Sequence, residues 1–202
     1  EHLAHIKQTI DYALSKDFTV NLYLEDWSSG MRDSRDYLFT MMDELVKLPI
    51  KRFLLPDTLG ILNPLQCVEY MRQMVRRYPN SHFDFHAHND YDLAVSNSLA
   101  AVLSGAKGLH VTVNGLGERC GNAPLASVQV ILKDMFEAKT NIKEDRLNDI
   151  SRLVEGYSGI AVAPNTPVVG DNVFTQVAGV HADGDNKDKL YCNDLVPERF
   201  GR

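Results

Sequence analysis

Apolar and polar positions alternate with two different periods over residues 1–140, and these periods predict helices and strands. Residues 2–16 place apolar side chains three and four positions apart, as in an amphipathic helix, at Leu3, Ile6, Ile10 and Leu14. The next stretch, FTVNLYLED, is short, rich in β-branched and aromatic residues, and ends in two acids. That composition predicts a buried strand at residues 18–26.

The same alternation then repeats three times. Strands are predicted over residues 51–56, 81–90 and 106–115, and helices over residues 36–48, 63–78, 91–105 and 123–139. Ser34 is expected to cap a helix after a loop at residues 28–34, and Pro49 to close that helix. Pro56 is expected to stop its strand, whereas Asn63 and Pro64 suit the first positions of a helix.

The order of one helix followed by four strand–helix pairs predicts an α/β fold with a parallel sheet. Polar residues follow the carboxyl ends of the strands, at Glu25, Asp26, Asp57, Thr58, His86, His88, Thr112 and Asn114. In a (β/α)8 barrel this end of the strands is the catalytic face. A doubly wound open sheet would also bind ligands there, but the chain has no GxGxxG at a first strand–helix turn to favour it.

The pattern changes after about Lys139. Residues 144–159 form one more amphipathic segment, and residues 162–202 have no clear periodicity and are rich in Gly, Asp, Asn and Pro. We therefore expect two parts, a β/α part at residues 1–140 and an appended, mostly helical and loop subdomain or arm at residues 141–202.

Composition and charge narrow the class of protein. A net charge of -6 in 202 residues argues against nucleic acid or an anionic membrane as the main partner. No apolar run reaches the roughly 20 residues of a membrane span, and the first residues do not resemble a signal peptide. The three cysteines, Cys67, Cys120 and Cys192, form no CxxC pair and suit free thiols in the cytoplasm.

The segment HAHND at residues 86–90 is the strongest local indication of chemistry. Residues two apart on a strand point to the same side, so His86 and His88 can share one divalent ion. A lone HxH also occurs as ordinary core or surface histidines. The following Gly-rich segment, VNGLGERCGN, holds Glu118, Arg119 and Asn122 in a loop where the backbone can approach a ligand closely.

Other polar residues are less specific. Asp57 and Thr58 can face a substrate, or Asp57 can cap a loop. His181 is a lone histidine that can serve in acid/base chemistry or lie on the surface. Cys120 has no histidine nearby in sequence, so a packed turn residue is favoured over a nucleophile.

Long stretches of the chain resemble the 2-isopropylmalate synthase, homocitrate synthase and citramalate synthase family, the DRE-TIM metallolyase type. The matching stretches are LPDTLG, the run from His86 to Asn122, the run from Ser151 to Lys187, and PERFG. The resemblance implies a TIM (β/α)8 barrel of which only strands 5–8 are present. It also implies an acyltransferase that condenses acetyl-CoA with a 2-oxo acid in amino-acid biosynthesis, with leucine synthesis as the first expectation.

The resemblance further implies roles for individual residues. His86, His88 and Asn122 would bind a divalent metal, Mn, Mg, Zn or Co, with Asn122 binding through its side-chain oxygen. The 2-oxo acid pocket would be lined by Thr58, Thr112 and Asn114. Glu118 would hold substrate or acetyl-CoA geometry, and His181 would act in the acid/base relay, lent by the arm to a neighbouring subunit.

The chain also departs from the family. The Asp-Arg-Glu motif of the first barrel strand is absent, and with it one metal ligand. WSSGMRDS stands where many members have a compact ED-x-x-R run, and Gln176 stands where many have a histidine. We therefore expect either a fragment of a longer enzyme, or a homodimer, or pairing with a separate N-terminal half. Within the acyltransferases, citramalate, homocitrate and re-face citrate synthase activities remain open beside 2-isopropylmalate synthase activity. In other classes, a metal-dependent hydrolase and a non-catalytic metal-binding remnant remain the alternatives.

Overall fold

The computed structural model describes residues 2–188, 190–191 and 193–202, so Cys192 lies outside the described residues. Within that part of the chain the helices are α1 (His2–Leu14), α2 (Trp27–Asp33), α3 (Arg35–Leu45), α4 (Pro64–Arg77), α5 (Ala94–Leu103), α6 (Leu125–Phe136), α7 (Leu147–Ser158) and α8 (Gly179–Asp188). The strands are β1 (Asn21–Tyr23), β2 (Arg52–Asp57), β3 (Phe83–Ala87) and β4 (Gly108–His110). Each of these described helices is too short or too polar to span a lipid bilayer.

The four strands form one parallel sheet in the order β1-β2-β3-β4. The predicted α/β class and parallel sheet are confirmed. Leu54 pairs with Tyr23 on one side and Asp84 on the other, and His86 pairs with Pro56 and His110. Because the strands are parallel and adjacent, the residues that follow them lie at one edge of the sheet.

The chain divides into two compact units. Unit 1 runs up to Val111 and includes Gly117–Ala123, and unit 2 comprises Thr112–Leu116 and Pro124–Arg202. In unit 1 the sheet and its helices bury large side chains, among them Trp27, Phe83, Phe85, Met71 and Met74. In unit 2 a smaller core forms around Val130, Leu147, Val168, Val169 and Phe200. The expected division at residue 140 stays a prediction.

The N-terminus of α4 forms as the sequence predicts. The Asn63 side chain accepts a hydrogen bond from the Gln66 backbone N–H, and the Gln66 side chain accepts one from the Asn63 N–H. Pro64 occupies the first helical turn, where a missing N–H costs nothing. This capping box satisfies two donors that the helix itself leaves unpaired.

The loop predicted at residues 28–34 is wrong, because α2 occupies Trp27–Asp33. Trp27 and Met31 are four residues apart, so both are buried on one face of a short helix. Ser34 follows α2 and precedes α3, but its side chain makes no capping hydrogen bond to α3.

Pro56 does not stop β2, which continues to Asp57. The Leu54 carbonyl accepts from Leu24, so residues 54 and 56 face β1, whereas the Asp57 carbonyl accepts from His88 beyond β3. The paired residues of β1 end at Tyr23, opposite Leu54. The missing N–H of Pro56 therefore falls where the ladder with β1 has ended, and a proline is tolerated there.

Two other segments differ from the expected elements. The fourth strand ends at His110, short of the predicted residue 115; Val113–Gly115 instead forms a 3-10 turn in which Asn114 and Gly115 adopt positive φ. The tail contains α8, where no periodicity was found; its sequence GVHADGDNKD has no apolar face that a helical pattern could reveal.

Candidate functional site

The two imidazoles of the HAHND segment converge in unit 1. His86 lies on β3, and His88 follows the strand in an isolated backbone bridge with Asn122. The two Nε2 atoms are 3.3 Å apart. The alternation of side chains along a strand thus brings both rings to the same side, as the sequence indicates.

The His86 ring is held in its neutral form. Burial, with a smaller contribution from the neighbouring His88 and His110, lowers the pKa of His86 to about 4. At neutral pH the ring therefore keeps a free lone pair, the form in which imidazole binds metals. The Nδ1 atoms of His86 and His88 are buried and have no hydrogen-bond partner in the part of the chain that the structure describes.

Asn122 is the third member of this group. Its Nδ2 lies 3.3 Å from His86 Nε2 and donates to the Ala87 carbonyl at 3.3 Å. The amide oxygen rests against Gly117, where any Cβ would overlap it. The amide thus presents its nitrogen to His86, and binding a metal through oxygen would require the amide to turn over.

The spacing of these atoms fits a metal. Two imidazole nitrogens bound about 2.1 Å from a Zn²⁺ ion, at an angle between octahedral and tetrahedral, lie about 3.0 to 3.4 Å apart. The observed Nε2 separation of 3.3 Å falls in that range. Among the described residues no group of three or more His, Cys, Asp or Glu could hold a metal alone. The pair with Asn122 therefore fits part of a metal site that takes further oxygen ligands.

The loop after β2 brings Thr58 into contact with the acids after β1. The Thr58 hydroxyl donates to Glu25 Oε1 at 2.9 Å and accepts from the Asp26 backbone N–H at 3.0 Å. Asp57 caps the same loop, because its carboxylate accepts from the N–H groups of Ile61 and Leu62. Burial raises the pKa of Asp57. These contacts make Asp57 a structural residue, whereas Glu25 is exposed and Thr58 is half-buried beside it.

In the Gly-rich loop, Glu118 and Arg119 occupy different positions. The Glu118 side chain is 83% exposed and meets only Arg119, at 3.5 Å, among the described residues. Arg119 instead contacts Asp90 and the Thr58 carbonyl. Cys120 is exposed, whereas Cys67 is buried and its burial raises the pKa of its thiol to about 12. Glu118 is thus an exposed carboxylate close to Arg119, whereas Arg119 joins this loop to Asp90 and to the Thr58 carbonyl.

Sequence reasoning missed a polar network beside His86. The Tyr23 hydroxyl lies 2.7 Å from His110 Nδ1, and His110 Nε2 lies 3.4 Å from the buried Asp84 carboxylate. His82 also contacts Asp84, at 2.8 Å. His82, Asp84, His86 and His88 alternate in sequence, so the period of two could have placed all four on one face.

Three of the candidate residues belong to unit 2. The Thr112 hydroxyl is buried without a hydrogen-bond partner among the described residues. Asn114 accepts from the Ser151 hydroxyl at 2.6 Å and donates to the Ser151 carbonyl at 2.9 Å, which joins its turn to α7. His181 is an exposed residue of α8, and its ring stacks on Tyr191 with centroids 4.5 Å apart.

Comparisons with known proteins agree with the resemblance in the motifs. The sequence profile of the HMGL-like family matches residues 1–154. The chain belongs to the HMGL-like family. A protein from Methanopyrus kandleri, provisionally named (R)-citramalate synthase, is 37% identical over 204 residues, which cover 100% of this chain and 39% of that protein. A homocitrate synthase from Saccharolobus islandicus is 42% identical over 202 residues, covering 100% of this chain and 43% of the synthase.

The chain spans about two fifths of the length of these curated relatives. Among solved structures, the HMG-CoA lyase of Bacillus subtilis superposes with a TM-score of 0.69 at 23% identity, covering 79% of this chain and 56% of the lyase. At that identity the likeness shows the fold alone. The parallel α/β sheet of this HMGL-like chain is thus of the kind found in HMG-CoA lyase.

Proposed function

We propose that this chain carries part of the active site of a metal-dependent acyltransferase that condenses acetyl-CoA with a 2-oxo acid. The observation that carries the proposal is the convergence of His86, His88 and Asn122 at the carboxyl end of β3. Membership of the HMGL-like family and relatives named citramalate synthase and homocitrate synthase support it. We further propose that β1 to β4 are strands 5–8 of a (β/α)8 barrel, followed by an arm.

His86, His88 and Asn122 would hold the divalent ion, Mn, Mg, Zn or Co. When bound, such an ion supplies Lewis acidity that polarises a ketone. The neutral state of His86 suits this role, because a protonated ring could not donate its lone pair. The remaining ligands would be oxygens from the substrate and from residues outside this chain.

The other residues would bind and orient the substrates. The hydrogen bond from Thr58 fixes the Glu25 carboxylate at the same edge of the sheet as the histidine pair. Thr112 has a buried hydroxyl with no hydrogen-bond partner in the described part of the chain, which suits a carboxylate or keto oxygen because a buried polar group without a partner is costly. Asn114 would contact the 2-oxo acid, and Glu118 would position acetyl-CoA.

His181 would move a proton during the condensation. It is exposed on α8, so an imidazole there can exchange protons with water and with a substrate. Replacing His181 with Ala should lower kcat far more than it raises the KM for the 2-oxo acid. Equal losses in both would exclude the role.

An activity assay with several 2-oxo acids determines which of them is the substrate. The enzyme is to be tested as the polypeptide that contains these residues together with the preceding barrel half that we propose. CoA release from acetyl-CoA is followed with a thiol reagent, in Mn(II), with 2-oxoisovalerate, pyruvate, 2-oxoglutarate and oxaloacetate. From the resemblance to 2-isopropylmalate synthase, we expect 2-oxoisovalerate to be the preferred substrate. Pyruvate and 2-oxoglutarate are the alternatives, because relatives are named citramalate synthase and homocitrate synthase.

The matched control is an exposed histidine outside the site. His88→Ala should abolish CoA release, whereas His5→Ala on α1 should leave it unchanged. The proposal would be overturned if none of the 2-oxo acids accelerates CoA release. It would also be overturned if the two variants release CoA at equal rates.

A further inference from the structure

Arg119 has a backbone conformation that its residue type does not favour. Its φ is 55°, in the left-handed region, and Gly121 two residues later also has a positive φ of 84°. Glycine adopts this region without steric cost, whereas a long side chain does so only where its surroundings compensate. An arginine in a loop already rich in glycine therefore indicates that its side chain is needed there.

The Arg119 guanidinium joins three loops. Nε donates to Asp90 Oδ1 at 2.7 Å and Nη2 to Asp90 Oδ2 at 3.0 Å, a bidentate ion pair. Nη2 also donates to the Thr58 carbonyl at 2.7 Å. These partners follow β3 and β2, and Arg119 itself follows β4. Bidentate pairs of this kind fix orientation as well as distance.

The loop that Arg119 braces carries Asn122. Inside the loop the Gly121 N–H donates to the Glu118 carbonyl at 2.8 Å, and the Gly121 carbonyl accepts from Asn89 at 2.9 Å. Asn122, whose side-chain amide contacts His86, therefore lies three residues after Arg119 in the same turn. A shift of the turn would move Asn122 away from the imidazole pair.

We propose that Arg119 is a positioning residue, whose clasp on Asp90 and Thr58 holds Asn122 against His86 for metal binding. The loop-holding part stands on the contacts alone, and the metal-binding part rests on the proposed function. A direct role in binding an anionic substrate is less favoured, because Nε and Nη2 are already engaged and Nη1 lies 3.5 Å from Glu118.

The test uses Arg119→Gly, which removes the side chain and also relieves the left-handed backbone. Arg119→Lys keeps the charge but cannot form the bidentate ion pair with Asp90. It replaces Arg119→Gly in the test if the glycine variant does not fold. Arg146→Ala is the matched control, because Arg146 forms an exposed ion pair with Asp149 at 3.0 Å in unit 2.

Amide hydrogen exchange of the metal-free chain reports the clasp. We expect peptides that cover residues 117–123 to exchange at least tenfold faster in Arg119→Gly, less so in Arg119→Lys, and unchanged in Arg146→Ala. Peptides from α4 should exchange alike in all four proteins. Unchanged exchange of residues 117–123 would overturn the clasp.

Co(II) titration, followed by its visible absorption, reports the positioning. We expect at least tenfold weaker Co(II) binding in Arg119→Gly than in the unsubstituted chain and in Arg146→Ala. Faster exchange with unchanged Co(II) affinity would overturn the positioning role and reduce Arg119 to a loop brace. An unsubstituted chain that binds no Co(II) would count against the proposed metal site, while the exchange result would still decide the clasp.

Discussion

Burial, together with the two neighbouring histidines His88 and His110, lowers the pKa of the His86 imidazole to about 4. The unfolded chain, with an ordinary histidine pKa, therefore binds more protons than the folded chain between about pH 6.5 and pH 4. The contribution of His86 to the free energy of unfolding is therefore fully present above about pH 6.5 and is lost as the pH falls towards 4.

The first prediction concerns this pH window. In the absence of metal, the free energy of unfolding should fall by about 1 to 3 kcal/mol more in the unsubstituted chain than in His86→Gln between pH 7 and pH 4.5. The ring is partly exposed, so water reduces the free energy that charging it in the folded state costs. Urea denaturation at both pH values measures the difference, and parallel losses in the two proteins would show that His86 is not held neutral.

At the same scale, the sequence could predict the two histidines but not their surroundings. The spacing of His86 and His88 on a strand was enough to place both rings on one side. The contact of Tyr23 with His110 joins the first and fourth strands of the sheet, 87 residues apart in sequence. Such a contact depends on the curvature of the sheet, and no local pattern encodes it.

The helix termini could be predicted wherever their chemistry is local. Asn63, Pro64 and Gln66 form the cap of α4 from four consecutive residues, so the sequence alone specifies it. In contrast, α2 is held by the burial of Trp27 and Met31 against the rest of unit 1, and its Ser, Gly and Asp residues indicate a loop. The tail helix α8 has no apolar periodicity to predict it.

The cap of α4 gives the second prediction. Asn63→Ala should lower the free energy of unfolding by about 1 kcal/mol, because the Gln66 backbone N–H loses its side-chain acceptor. Arg72→Ala, at an exposed position of the same helix, is the control and should change stability by less than about 0.5 kcal/mol. Chemical denaturation of both variants tests this, and equal stability would contradict the capping role.

The third prediction concerns the C-terminal segment of unit 2. Glu144 is buried and accepts from Arg199, Lys133 and Gln129, and Arg199 also pairs with Asp134. Arg199→Met leaves the Glu144 carboxylate short of its main partner, so unit 2 should lose about 2 to 4 kcal/mol of stability. Thermal unfolding measures the loss, with Arg146→Ala as the surface control, and a loss no larger than the control's would contradict it.

The acid sensitivity of unit 2 follows from the same contacts. Hydrogen bonds from Arg199 and, to a smaller extent, from Lys133 and Gln129 outweigh the effect of burial and lower the pKa of Glu144 to about 2. Because this pKa is depressed, the stability that Glu144 contributes is present above about pH 4.5 and is lost as the pH falls towards 2. The unfolding midpoint of Glu144→Gln should therefore vary less with pH over that window than that of the unsubstituted chain.

For the whole molecule, the family and the parallel sheet could be predicted, because strand–helix alternation and long motifs both survive in this part of the sequence. The grouping into units could not, since Gly117–Ala123 associates with unit 1 while the residues on both sides of it belong to unit 2. The association of Gly117–Ala123 with unit 1 depends on contacts such as the hydrogen bond from the Asn89 N–H to the Gly121 carbonyl, which joins distant parts of the chain.

The fourth prediction concerns the edges of the sheet. Among the described residues, β1 and β4 each pair with a strand on one side only. Unpaired edges invite pairing with another chain, so we expect the 22.7 kDa chain to associate in a concentration-dependent manner. Sedimentation velocity tests this, and a monodisperse monomer over a hundredfold concentration range would count against the homodimer.

The measurement that tests the central claim most directly is calorimetric titration of Mn(II) into the 202-residue chain beside a His86→Ala/His88→Ala double variant. The claim is that these imidazoles form part of a divalent-metal site. It predicts saturable binding at one site in the unsubstituted chain and none in the double variant. Equal heats in the two proteins, whether large or absent, would contradict it.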